Sequence, residues 1–248
     1  MMGVLGPNFT PLFFDVTDEY ALARATDKVR VELKGKKLAG LVNNAGISKN
    51  AALLDIPIDD FRKVLEVNLI GPLRVTRAFA PLLGTDSSLS GSPGRIVNIS
   101  SIAGKHAVPF AGAYTCSKHA LEGLSETFRR ELMLYGIDVV IVGPGAVKTS
   151  IWDRVAEDDL TPFQGSPYYS TLKKFNSEGV SNGRTNGHTP EQQGEAIYQA
   201  LTVASPKTRY AVVAHRFRNW TLLNLLPPRM LDRMIAKRYG FFDAVRED

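Results

Sequence analysis

Tyr114 and Lys118 stand four residues apart in the run YTCSK. On a helix that spacing places both side chains on one face, one turn apart. A phenol alone titrates at about 10. A cation within a few ångström favours the phenolate and lowers that value, and the positive end of a helix acts in the same direction. Such a tyrosine can exchange a proton with an alcohol or a carbonyl near neutral pH. Ser101 closes a loop thirteen residues earlier, where its hydroxyl could orient the same substrate oxygen. A Tyr-x-x-x-Lys pair alone is common and usually solvated, so its surroundings decide what it means.

The elements that must hold these residues can be read from hydrophobic periodicity. Thr10 to Val16 (TPLFFDV) reads as a short buried strand, with Thr17 as a cap and a helix over Tyr20 to Leu33. Leu38 to Asn43 reads as another apolar strand, ending in NNAG at Asn43 to Gly46. Ile58 to Leu83 carries helical periodicity, and the polar loop Thr85 to Gly94 leads into a strand at Arg95 to Ile99. Tyr114 to Tyr135 is a long helix, followed by a strand at Asp138 to Val142 that Pro144-Gly145 stops. Ser150 to His188 reads as irregular. Thr189 and Pro190 start a helix as N-cap and first helical residue, and Arg209 to Ala214 is a last strand. The strands are rich in Val, Ile and Leu and lack the alternation of a half-exposed sheet. They predict an α/β fold whose parallel sheet is buried on both faces, in one domain over 1–248.

Bulk properties narrow the function further. The net charge of +5 is mild, and the cations gather only at Arg216, Arg218, Arg229, Arg233, Lys237 and Arg238, without the module of a nucleic-acid binder. The single cysteine, Cys116, rules out an intrachain disulfide and fits a reducing, cytoplasmic setting. The N-terminus lacks the form of a secretion signal, and no apolar run is long enough to span a membrane. His106, His119, His188 and His215 lack metal-ligand spacing, so no metal is expected.

The motifs around the Tyr–Lys pair carry a wider resemblance. NNAG at Asn43 to Gly46, Asn68 within VLEVNLIG, NISS at Asn98 to Ser101, YTCSK, and PGAVKT at Pro144 to Thr149 follow the order and spacing of the short-chain dehydrogenase/reductase family. The chain resembles that family over nearly all of its length. The resemblance implies a Rossmann-like doubly wound parallel sheet. It implies hydride transfer between NAD or NADP and a carbonyl or alcohol carbon, with no metal. It implies that Tyr114 is the general acid/base, and that Lys118 lowers its pKa and holds the nicotinamide ribose. Ser101 would polarise the substrate oxygen, and Asn68 would anchor a relay water. Asp15 and Val16 would touch the adenine, Asn43, Ala45 and Gly46 would line the cofactor, and Pro144, Gly145, Val147 and Thr149 would lie near the nicotinamide. Family members are commonly homodimers or homotetramers.

The family pattern opens with a strand, a T-G-x-x-x-G-x-G turn, a helix and a second strand. The turn's glycines let the backbone approach the pyrophosphate. Gly3 and Gly6 in MMGVLGPN do not form that turn, so the chain reads as N-terminally truncated, with the first two strands and first helix missing. The choice between NAD and NADP is then unreadable. A gap is expected between the Thr10–Val16 and Leu38–Val42 strands, leaving unpaired edges. The first of these strands would slide across to pair with the second, or a partner would fill the space, or the chain would be unstable. The alternative to an oxidoreductase is a non-catalytic remnant that associates with another protein through Ile58–Leu83 and Leu121–Tyr135.

By the same resemblance, residues 150–189 would form a mobile lid over the substrate. Trp152, Phe163, Tyr168, Tyr169 and Phe175 there suit a lipophilic substrate such as a steroid, retinoid or fatty acyl derivative, or else pack the lid onto the core. PGAVKTSIW resembles the retinol and hydroxysteroid dehydrogenase branches, which makes Trp152 a candidate substrate contact beside Ser101 and Tyr114. The C-terminal extension, 216–248, includes a basic amphipathic stretch suited either to peripheral membrane contact or to packing over the substrate entrance or a subunit contact. Pro227-Pro228 splits the tail and favours packing.

Overall fold

Branched apolar residues build four short strands: β1 (Gly40–Asn43), β2 (Arg95–Ile99), β3 (Asp138–Pro144) and β4 (Arg209–Val212). In the computed structural model, which describes residues 9–241, they form one parallel sheet in the order β1-β2-β3-β4. The readings on Gly3, Gly6 and residues 242–248 lie outside the described residues. Register places Asn43 beside Asn98, and Asn98 beside Ile141. Side chains alternate between the faces as a pleat requires. Ile96 and Val139 enter a core with Leu22, Val75, Phe79 and Leu132. Val97, Ile99, Val140 and Val142 enter another with Ile197, Ala200 and Leu201.

Helices therefore cover both faces. On the first lie α1 (Glu19–Leu33), α3 (Gly71–Ala80) and α4 (Gly112–Glu131); on the second lies α7 (Pro190–Thr202). The parallel sheet is buried on both faces as the strand composition predicts, in the doubly wound α/β arrangement that the family resemblance implies. Thr189 caps α7 through Gln192 N, and the Gln192 side chain returns the bond to Thr189 N.

The Thr10–Val16 strand is corrected: the segment joins no ladder. Phe14 and Val16 still turn into the first core. Val16 lies against Gly71, where a Cβ would meet its Cγ2 at 2.9 Å. Asp18, not Thr17, is the N-cap of α1, its carboxylate accepting from Ala21 N at 2.9 Å. These two fixings hold the segment over the helices, so it does not slide to β1. Among the described residues β1 is thus an edge strand.

The Ile58–Leu83 helix forms in pieces. α2 (Ile58–Leu65) and α3 are joined by a wider π turn at Glu66–Ile70, and a second π turn follows at Pro81–Thr85.

The segment 150–188 is also corrected. It holds α5 (Ile151–Ala156) and the eighteen-residue α6 (Tyr169–Asn186). Glycine, serine and asparagine weaken α6 in isolation, so packing supplies its stability. The Trp152 indole lies over Gly183, where any Cβ would collide with the ring, and near Gly179. Leu172 is buried beside Phe110, Phe163 and Phe175.

The tail forms α8 (Leu222–Leu225) and α9 (Pro228–Tyr239). Tyr239 and Phe241 pack against Phe175 and Phe110, and Arg238 pairs with Glu178 of α6. Met230 and Met234 remain exposed. No helix among the described residues is long and apolar enough to cross a membrane.

Candidate active site at the strand ends

The C-terminal ends of β1, β2 and β3 meet the first turns of α4, which is where open α/β sheets bind ligands. Asn43 ends β1 and Asn98 sits opposite it in β2. Both are buried. Asn43 Nδ2 donates to Asn98 Oδ1 at 2.8 Å and to Thr76 Oγ1 at 3.2 Å. Asn98 Nδ2 donates to Ser125 Oγ of α4 at 2.8 Å. This amide row fixes the strand ends against the helices without leaving a buried donor unpaired.

Beyond Asn43 the chain turns through Ala45 and Gly46. Asn68, in the π turn and fully buried, clamps the far side of that turn. Its Oδ1 accepts from Ile47 N at 2.8 Å, and its Nδ2 donates to Ile47 O at 2.9 Å and Ser117 Oγ at 3.0 Å. Both side-chain N–H donors are therefore taken within the protein.

Ser101, Tyr114 and Lys118 lie together at this corner. Ser101 caps the short 3₁₀ turn Ile102–Gly104, its Oγ accepting from Ala103 N at 3.1 Å. The same hydroxyl donates to Pro144 O at 3.5 Å and is near enough to the Tyr114 phenol to favour its ionised form. Lys118 is 4% exposed; its Nζ donates to Ile99 O at 2.8 Å and lies 5.6 Å from the Tyr114 ring centre. Gly46 sits close by, where a Cβ would be 3.4 Å from Asn68 Oδ1 and 3.7 Å from Lys118 Nζ.

Burial dominates the electrostatics of the pair. Burial raises the Tyr114 phenol above its ordinary value, and the Ser101 hydroxyl, which donates to the phenolate, offsets part of that rise. Burial also pushes the Lys118 ammonium down to about 8, with the Glu122 carboxylate pulling the other way. Desolvation is the larger of the two effects on the phenol.

The other predicted residues are spread around this corner. Gly145 N donates to Val212 O at 2.9 Å, and Val147 bridges to His188, closing the base of 150–189. Thr149 is exposed. The Trp152 indole donates to Val147 O at 2.7 Å and faces α6. Asp15 is exposed, and its carboxylate accepts from Thr17 N and Oγ1, both at 2.8 Å. Sequence reasoning passed over Asn98 and Ser117, although both stand inside the motifs NISS and YTCSK. It also passed over Glu122 and Arg209. Glu122 is buried and lies one turn after Lys118, a spacing that could have drawn attention to it.

Known proteins give the same picture. The family described as short chain dehydrogenase matches residues 2–160. An NADPH-dependent 3-dehydrocapnine reductase of Ornithobacterium rhinotracheale is 33% identical over 93% of this chain and 81% of its own length. The human 17-beta-hydroxysteroid dehydrogenase type 6 is 31% identical over 91% of this chain and 72% of its own. The solved structure of an NAD+-bound xylitol dehydrogenase superposes with a TM-score of 0.65 at 28% identity, covering 81% of this chain and 76% of that one.

Proposed function

Because the chain belongs to the short-chain dehydrogenase family, we propose that it interconverts an alcohol and a carbonyl group on a lipophilic substrate, using Ser101, Tyr114 and Lys118. The oxidoreductase class and a nicotinamide dinucleotide, NAD or NADP, come with the family. The substrate and the residue roles are our reading. The observation that carries it is the convergence of Ser101, Tyr114 and Lys118 at one strand end.

The residues present fit the nicotinamide-ribose end of such a cofactor. Lys118 commits one N–H donor to Ile99 O, and an ammonium carries others that could hold a ribose hydroxyl. Gly46 leaves the space beside Lys118 clear of a side chain. When bound, the dinucleotide supplies hydride exchange. The chain's own residues manage the proton. In reduction, Ser101 Oγ donates to the substrate carbonyl oxygen and Tyr114 delivers its phenolic proton to the same oxygen. In oxidation, the Tyr114 phenolate accepts the hydroxyl proton, and Ser101 holds the oxygen in place. A cofactor's positive charge beside the phenol would lower the pKa that burial now raises.

Two observations support a lipophilic substrate. Phe110, Tyr168 and Phe175 form an aromatic cluster under α6, and a relative at similar distance is by name a hydroxysteroid dehydrogenase.

The test is a titration of the purified chain with NADPH and with NADH, followed by nicotinamide fluorescence. Saturable binding that Lys118→Ala weakens is the expected result. A folded chain that binds neither at millimolar concentration would overturn the enzymatic reading and turn attention to protein association.

A further inference from the structure

Arg209 begins β4, yet its side chain ends at the candidate active site. Its register partner is Ile141 of β3. From there the guanidinium crosses β3 at Gly143, where a Cβ would strike it directly. Nε then donates to both Glu122 oxygens, at 3.1 and 3.0 Å, and Nη2 donates to the main-chain oxygen of Ser101 at 3.0 Å. Glu122 is 3% exposed, so the ion pair is largely removed from water, where charge-assisted bonds are strongest and lone charges cost most. Trp220, from the turn Phe217–Thr221, lies with its ring centre 4.4 Å from the guanidinium carbon, and His106 meets the same indole edge-on at 5.6 Å. Lys105 Nζ adds a second cation to Glu122 at 3.4 Å.

These contacts converge on one short loop. Residues 101–106 contribute Ser101 O, Lys105 and His106, and the Ser101 hydroxyl projects from the same residue whose carbonyl Arg209 grips. We propose that Arg209, threaded over Gly143 and locked by Glu122 and Trp220, is a positioning residue that aims the Ser101 hydroxyl at Tyr114. The C-terminal segment then takes part in building the site, although Trp220 itself touches no reacting group. Gly143 is required because only a residue without a Cβ lets the guanidinium pass. The inference rests on the proposed roles of Ser101 and Tyr114, but its test needs neither cofactor nor substrate.

The test follows the Tyr114 phenol by NMR in protein carrying ¹³Cζ-tyrosine, with Tyr114→Phe identifying its signal among the eight tyrosines. In Arg209→Lys, which keeps the charge but loses the fork, the Ser101 hydroxyl should no longer meet the phenolate. Tyr114 should then titrate about one pH unit higher, a tenfold change in its ionisation constant. Gly143→Ala leaves Arg209 in the sequence but blocks its path, and should give the same shift. Ser101→Ala should raise the titration as far, and adding Arg209→Lys to it should raise it no further. A fall in melting temperature alone, with the Tyr114 titration unmoved in both single variants, would reduce Arg209 to a structural ion pair and overturn the proposal. If Arg209→Lys does not fold, Gly143→Ala decides. Failure of NADPH or NADH to bind would remove the enzymatic reading without touching this measurement.

Discussion

The corner where β2 meets α4 and the α5–α6 segment, which we propose as a lid over the substrate, are held by opposite means. At the corner, buried polar groups pair with one another: Asn43 with Asn98, Asn98 with Ser125, Asn68 with Ile47 and Ser117, Lys118 with Ile99 O. Each bond is directional, and a buried partner left alone would be penalised. In the lid, one indole rests on two glycines and an aromatic group gathers around Phe110. Such contacts tolerate sliding, whereas the amide row does not. A proton-transfer group needs its neighbours fixed to within a fraction of an ångström, while a cover for a lipophilic substrate needs shape and the freedom to open. Phe110 joins the regions. It adopts a left-handed φ of 62°, rare for a side chain of its size. Ala51 N, donating to its carbonyl at 2.8 Å, and the surrounding rings hold it there.

The largest effect should come from the corner. Tyr114→Phe keeps the ring and its packing but removes the proton. Turnover should fall by about 10²–10⁴-fold, the usual contribution of a general acid or base. The measurement is NADPH or NADH oxidation with a lipophilic ketone on which the wild-type chain is active. Cofactor affinity should change little. Retention of more than a tenth of the wild-type rate would mean that the corner's geometry serves structure alone.

Lys118 tests whether the corner is as dry as it appears. Its pKa is about 8 in the folded chain and 10.5 in the unfolded one. Between those values the unfolded chain binds more protons, so the lysine's contribution to stability rises with pH. Below about 8 it costs the folded state the full desolvation, on the order of 3 kcal/mol at 1.36 kcal/mol per pH unit. Urea unfolding of the wild type and of Lys118→Met, compared from pH 7 to 10.5, should show a gap that depends on pH in this direction. Curves that stay parallel would show that water reaches the ammonium.

How far each region could be read from sequence follows from the same contrast. Tyr114 and Lys118 sit one helical turn apart, so their meeting is a local property of α4. β2 and the α7 cap are also local: RIVNI is apolar apart from Arg95 and Asn98, and Thr189-Pro190 with Gln192 spells a capping box. The helix α6 was hidden, because Gly179, Gly183 and its Ser and Asn residues signal irregular chain, and Trp152 compensates only after folding. Thr10–Val16 has a strand's composition, but Val16 against Gly71 and the Asp18 cap draw it elsewhere. Arg209 reaches Glu122 across 87 positions and Ser101 across 108, separations that carry no periodic signal. Spacing reveals the cation near Tyr114 but not the depth of burial, which raises the phenol.

The lid should respond differently. Gly183→Val drives a branched side chain into the Trp152 indole, so α6 and α5 must part. Overpacking of this kind typically costs about 1–3 kcal/mol. The expected signature is faster proteolysis within 150–189 and a several-fold higher KM, with kcat within about twofold of wild type. A matching fall in kcat would mean that the lid also holds the corner, and the division between rigid chemistry and loose cover would fail.

The smallest effect probes where the lid returns to the sheet. His188 N donates to Ala146 O at 2.9 Å and Lys148 N to His188 O at 2.8 Å, tying the end of the lid to the 144–149 loop. Thr189 follows at once as the α7 cap. Thr189→Ala removes one side of the capping box and should cost about 1 kcal/mol. If the cap serves only α7, the loss appears in global unfolding by urea, and proteolysis of the lid is unchanged. If it also fixes the lid's hinge, proteolysis of the lid quickens in addition to that loss. The backbone pair at His188 survives the substitution, so the first outcome is expected, and the lid's looseness then resides in the Trp152–Gly183 contact instead of at its base.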